Sequence, residues 1–261
     1  MGILNITPDS FSDGGKYYNL ENAIEYALEL VKQGVDIIDV GGESTRPGAK
    51  SISLNDEINR VIPVIKSIRS VSSIPISIDT YKSKVAKIAI ESGANIINDI
   101  SGLNFDSKMI DIVKEYNVPI VIMHIKGTPL NMQINPHYDN IIDEIISYFE
   151  KRINLCLDYG IPKTHIILDP GIGFGKQIND NFTLIRKLNT FRELGYPILI
   201  GPSRKSFIGL TLDLPVEDRL EGTAATITAS IMNGARIIRV HDVLEMKRVQ
   251  IISDKIRGGG Q

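Results

Sequence analysis

The sequence predicts an α/β protein built as a single (β/α)8 TIM barrel, with its active site at the C-terminal ends of the strands. Three observations carry that expectation. Short apolar runs recur eight times along the 261 residues; they are rich in Ile and Val, and several lack polar alternation, as strands buried on both faces should. Longer stretches with apolar residues at helical spacing lie between them, and regular alternation of strand and helix implies a parallel sheet. No low-complexity linker divides the chain, and eight such units in this length fit a closed barrel better than an open doubly wound sheet.

In order, the expected strands are 2–6, 35–40, 74–78, 96–100, 119–123, 165–168, 197–200 and 236–240. After the first comes NLENAIEYALELVKQG, which places Ile24, Ala27, Leu28 and Val31 on one helical face and stops at Gly34. After the second, SLNDEINRVIPVIKSI opens on a capping-box-like Ser53…Asp56 pair. A long helix is expected in YDNIIDEIISYFEKRINLCLDYG, ending at Gly160. The barrel should occupy residues 1–257, and GGGQ should be a frayed tail at 258–261.

Composition narrows the function. With 29 basic and 31 acidic residues the net charge is −2, so no surface suited to coating nucleic acid is expected, and an anion must be caught by a few placed cations. No apolar run reaches 18 residues, no signal peptide is visible at the start, and Ile6 fails the Ser/Thr position of a myristoylation site. A cytoplasmic protein without membrane partners is expected. The single cysteine, Cys156, sits in a helical pattern and reads as a buried small side chain, and neither CxxC nor HExxH occurs.

Chemistry in a barrel gathers at the strand exits, and polar residues stand at seven of the eight: Asn5, Asp79, Asn98 with Asp99, His124, Asp169, Ser203-Arg204-Lys205-Ser206, and Arg239 with His241. Arg239 and His241 are two apart and share a strand face, as do Ser77 and Asp79. LDPGIGFGK (168–176) resembles a phosphate loop but fails both nucleotide patterns. A Walker loop needs glycine where Pro170 stands and Ser or Thr where Gln177 stands; a dinucleotide fingerprint needs glycine at Lys176. What remains is a carboxylate, Asp169, followed by backbone thinned at Gly171, Gly173 and Gly175, suited to a planar ring whose adjacent N–H groups take two parallel hydrogen bonds. The seventh exit, GPSRKSFIG, supplies cations and a helix start; Arg46 in GGESTRPGA, Arg239 and His241 add donors enough for a diphosphate.

These segments together resemble the dihydropteroate synthases, the pterin-binding TIM-barrel family. The resemblance is carried by GILNITPDSFSDGG (2–15), DVGGESTRPGA (39–49), SIDT (77–80), IINDISG (96–102), MHIKGTPLNMQ (123–133), LDPGIGFGK (168–176), PSRKSFIG (202–209) and RVHDV (239–243). They occur in the family's order over essentially the whole chain. The resemblance implies a transferase of folate biosynthesis that joins a dihydropterin diphosphate to 4-aminobenzoate with Mg2+, is the target of sulfonamides, and works as a homodimer. By motif, Asp79, Asn98, Asp169 and Lys205 hold the pterin. Asn5 meets Mg2+ and the diphosphate, and Thr45, Arg46, Arg239 and His241 grip the phosphates. Phe11, Pro47, Phe174, Lys205 and Ser206 border the aminobenzoate, and the catalytic weight falls on Asp79, Lys205, Arg239 and His241. The alternatives are a folate-dependent corrinoid methyltransferase, which has no need of diphosphate-gripping cations, and a pterin-binding paralogue without turnover. His124 and Lys176 are assigned no role; His137 and His165 are expected away from the site.

Overall fold

Eight parallel strands and ten α-helices alternate along the computed structural model, which describes residues 1–6 and 16–258; Phe11 and the last three residues of the expected tail lie outside them. The strands are β1 Gly2–Asn5, β2 Ile38–Gly41, β3 Ile76–Asp79, β4 Ile96–Asp99, β5 Ile120–Met123, β6 Ile166–Asp169, β7 Leu199–Ile200 and β8 Ile237–Ile238. β1 to β6 pair in sequence order, and β7 pairs with β8. Parallel bridges from Leu168 to Ile198 and from Gly2 to Val240 join the two groups, so the ladder closes and the expected barrel is formed. The two-residue β7 and β8 are the shortest strands.

The helices are α1 Lys16–Lys32, α2 Leu54–Val71, α3 Ser83–Glu91, α4 Met109–Tyr116, α5 Ile141–Asp158, α6 Ile178–Arg186, α7 Leu188–Arg192, α8 Ser206–Leu212, α9 Leu220–Met232 and α10 Val243–Ile256. α7 and α8 are short additions to the eight-unit pattern. Local sequence explains several ends. Ser53 caps α2 by accepting the Asp56 N–H at 3.1 Å and donating to Asp56 Oδ2 at 2.6 Å. Asn140 caps α5 through the N–H groups of Ile142 and Asp143.

Each strand sorts its side chains by parity. Ile38 and Val40, Ile76 and Ile78, and Ile120 and Ile122 join the main core beneath the helices. The opposite face lines the lumen, where Met1, Val121, Ile167 and Leu199 form a second buried cluster flanked by Ile37, Ile96 and Ile237. That apolar plug fills one end of the cylinder and leaves the polar residues of the strand ends at the other. Cys156 is buried in the outer core, and no helix among the described residues is long and apolar enough to cross a membrane.

Candidate active site

The lumen-facing parity of β2, β3, β4 and β8 brings Asp39, Asp79, Asn98 and Arg239 to one spot. Arg239 Nε donates to Asp39 Oδ2 at 2.6 Å and its Nη2 to Asp79 Oδ2 at 2.7 Å, while the Asn98 amide donates to Asp39 Oδ2 at 3.1 Å. One guanidinium faces two carboxylates in a site almost closed to water. Burial therefore pushes Asp79 up to about 7, with Asp39, Glu57 and Asp99 adding repulsion that Arg239 only partly offsets. Asn5 lies beside this group: a Cβ built on Gly41 would stand 3.5 Å from both Asn5 Oδ1 and Asp79 Cβ.

Asp169, at the end of β6, is also buried, and desolvation raises its pKa against the pull of the Gly171 N–H and the charges of Lys205, Lys176 and Arg239. Gly171 N donates to its Oδ1 at 2.7 Å. Lys205, just before α8, is lowered to about 7 by burial, with Arg239 opposing its charge and Asp169 and Asp79 supporting it. Its Nζ donates to the Ile172 carbonyl and stands 4.2 Å from the Phe174 ring centroid. The glycines that follow Asp169 make room for protein as much as for ligand. At φ +70° a side chain on Gly171 would run into the His124 carbonyl oxygen, and at φ +78° one on Gly173 would meet the Lys205 stem at 2.9 Å.

Arg239 and Arg46 act together on His241 at the same mouth. Burial lowers His241 to about 4, and Arg239, Arg204 and Arg46 lower it further while Asp242 raises it; it is neutral at pH 7 and shares a hydrogen bond of 3.0 Å with Ser203. Arg46, Pro47 and Ser206 are exposed, and Thr45 is half-buried. Arg204 is committed to a neighbour: its guanidinium clamps Asp242 at 2.8 and 2.6 Å. Asp99 likewise serves structure, accepting the N–H groups of Ser101 and Leu103. His137 is exposed, and His165 ends the short 3-10 turn before β6.

His124 and Lys176, given no role by sequence, are buried together. Lys176 Nζ lies 3.0 Å from His124 Nδ1 and donates to the Phe174 carbonyl at 2.9 Å. Burial holds Lys176 well below the ordinary lysine range, and burial with the neighbouring Lys176 and Lys126 pushes His124 down to about 2. The two pack against each other behind the glycine loop. Sequence reasoning missed Asp39 altogether. Its signal was an acidic residue inside the run VDIIDV, at the same parity as Asp79 in the next strand; the register pairs Asp39 with Ser77.

A guanidinium shared by two buried carboxylates, with a third buried carboxylate and a buried lysine close by, gathers at the strand ends of a barrel, the place where barrel enzymes carry out their chemistry. The family model described as pterin binding enzyme matches residues 1–241. The dihydropteroate synthase of Clostridium beijerinckii is 51% identical over 257 residues, spanning 98% of this chain and 93% of its own. Among solved structures, the Yersinia pestis dihydropteroate synthase with a sulfonamide drug superposes with a TM-score of 0.94 at 40% identity, covering 99% of this chain and 94% of that one. The Xanthomonas albilineans dihydropteroate synthase in complex with 7,8-dihydropteroate gives 0.89 at 36% identity, covering 100% and 94%. The chain belongs to the pterin-binding enzymes, in the dihydropteroate synthase family.

Proposed function

We propose that the protein joins (7,8-dihydropterin-6-yl)methyl diphosphate to 4-aminobenzoate, releasing pyrophosphate and forming 7,8-dihydropteroate. The observation that carries this reading is the position of Arg239, bonded to Asp79 on the pterin side and close enough to His241 and Asp169 to act on the charge of both. In this reading Asp169 takes the pterin's paired N–H edge, with Asn98 and Lys205 completing the grip. Asp79 faces the methylene, where positive charge grows as the C–O bond breaks. Its carboxylate stabilises that charge, and Thr45, Arg46, Arg239 and His241 receive the departing diphosphate. The amine of aminobenzoate is neutral at pH 7 and needs placement more than activation. Phe174, Pro47, Ser206 and the Lys205 stem supply that placement, and Phe11, beyond the described residues, is assigned to the same pocket. The bond to nitrogen forms as the C–O bond to the diphosphate breaks, and the amine gives up one proton to solvent.

Asn5 fits a magnesium ion that arrives with the diphosphate. Its side-chain oxygen stands at the mouth beside Asp79, and no group of three or more His, Cys, Asp or Glu that could form an all-protein cage occurs among the described residues. Mg2+ characteristically takes one or two protein oxygens together with substrate phosphates. When bound, the ion neutralises charge on the leaving group. Binding of sulfonamides in the aminobenzoate pocket is part of this proposal, supported by the sulfonamide complex of the Yersinia pestis relative.

We also assign a homodimer through the late helices. α10 packs on α9, yet Met232, Leu244, Ile251, Ile252 and Ile256 remain exposed there, an apolar surface typical of a partner interface. The activity is tested by mixing the protein with the pterin diphosphate, 4-aminobenzoate and Mg2+. Pyrophosphate release that depends on both organic substrates is expected, and its absence rejects the assignment in favour of a passive pterin binder.

A further inference from the structure

Outside the substrate cavity, one lysine stands between two carboxylates for which the reaction has no use. Lys82 Nζ donates to Glu43 Oε2 at 2.5 Å, to Glu57 Oε2 at 2.5 Å and to the Ile52 carbonyl at 3.0 Å. Its side chain is only 17% exposed, and those of Glu43 and Glu57 are 7% and 1% exposed. Both carboxylates have further partners: Glu43 accepts the Tyr81 hydroxyl at 2.6 Å and the Ile52 N–H at 3.1 Å, and Glu57 accepts the Thr80 hydroxyl at 2.6 Å. Buried charges with every partner in place are costly to disrupt.

The cluster's position in the chain gives it meaning. Glu43 stands where the β2–α2 loop leaves the barrel, and Ile52 where the loop returns to the Ser53 cap of α2. The Glu43 carboxylate holds the Ile52 N–H, and Lys82 holds both the Glu43 carboxylate and the Ile52 carbonyl, so the two stems are fastened across the base of the loop. Arg60 adds a bond to the Gly42 carbonyl at 2.8 Å. Between the stems lie Thr45, Arg46 and Pro47. The loop makes a further contact at its far end, where the Gly48 N–H reaches the Pro129 carbonyl at 2.9 Å.

We propose that Lys82 is a positioning residue for the second substrate: it clasps the stems of the β2–α2 loop and so holds Arg46 and Pro47 over the aminobenzoate side of the cavity. The inference rests on the assignment of that loop to the diphosphate and aminobenzoate. A loop fastened at its base has fewer conformations to surrender when it closes, so a larger fraction is competent to bind. Releasing the clasp lowers that fraction without altering Asp169, Asn98 or Lys205, which hold the pterin ring.

The test compares Lys82→Met, Lys82→Arg and Pro47→Ala in the full-length protein. The KM for 4-aminobenzoate is measured at saturating pterin diphosphate, and calorimetry with a pterin lacking the diphosphate reports the state of the ring site. Lys82→Met is expected to raise the aminobenzoate KM at least about fivefold while the bare-pterin affinity stays within about twofold. Lys82→Arg, which restores the charge between the two glutamates, should recover most of the loss. An unchanged KM in Lys82→Met overturns the proposal, and so does a parallel loss of KM and bare-pterin affinity, which marks the cluster as general scaffolding. Pro47→Ala separates the two readings. If it raises the KM and Lys82→Met does not, only the clasp fails; if neither moves it, the placement of the loop fails and the clasp with it. Should Lys82→Met not fold, Glu43→Gln gives the same readings. It leaves the Lys82–Glu57 pair in place and sets an amide NH2 against a donor.

Discussion

Asp169 has one oxygen committed to the Gly171 N–H, and the proposed function gives the other to the pterin. In Asp169→Asn the amide oxygen can keep the Gly171 bond, which turns the NH2 toward the pterin's own N–H edge. Bare-pterin affinity is expected to fall by about 2–4 kcal/mol, read by calorimetry; unchanged affinity removes Asp169 from ring binding. Asp79 makes a different prediction, through pH. Its folded pKa of about 7 stands above the ordinary aspartate value of 3.8, so the native state binds that proton more tightly than the unfolded chain does. The resulting stability is fully present below about pH 4 and is lost as pH rises through about 7. Thermal melts of Asp79→Asn should therefore show a flatter stability profile than the wild type between pH 4 and 7, and matching slopes would count against the raised pKa. At this scale Asp79, Asn98, Asp169, Lys205, Arg239 and His241 were legible because each is a polar residue at the exit of an apolar run. Asp39 was not, because it sits one turn of the pleat deeper, where a sequence reading looks only for packing.

At the level of elements, the Arg239 fork ties β8 to β2 and β3, and this changes how a substitution there should be read. Asp39 is fully buried and the Arg239 side chain is 21% exposed. Truncating the arginine strands two carboxylates, so Arg239→Met is expected to cost about 3–5 kcal/mol of stability beyond any loss of diphosphate binding. Adding Asp39→Asn to that variant should return part of the loss in chemical denaturation; strictly additive effects would show that the pair does not act as a unit. The glycine loop after β6 yields a second expectation. Gly171→Ala meets both a positive φ and the His124 carbonyl, and should destabilise by about 2 kcal/mol or more, visible as a lower Tm. The strand runs and the α2 cap were readable because parity, helical spacing and Ser53…Asp56 are local signals. The partners of the glycine loop were not, since His124 and Lys176 lie 52 positions apart and only the pairing of β5 with β6, which sets Met123 beside Asp169, brings them together.

For the molecule as a whole, the exposed apolar residues of α9 and α10 are expected to be covered by a second copy. Sedimentation should give a dimer for the wild type and a monomer for Ile252→Lys combined with Ile256→Lys; a wild-type monomer rejects that interface. Closure itself is the whole-molecule property on which the site depends. It sets Arg239 of the last unit against Asp39 and Asp79 of the second and third, 200 and 160 positions away. By itself the sequence determined the barrel, its strand order, the polar mouth and the family, because period-two and helical patterns and contiguous motifs are written along the chain. The tertiary structure alone decided which charges neutralise one another, which lysines are buried, and how the β2–α2 loop is fastened. Those outcomes depend on desolvation and on distances of a few ångströms between distant residues, and no local pattern encodes them.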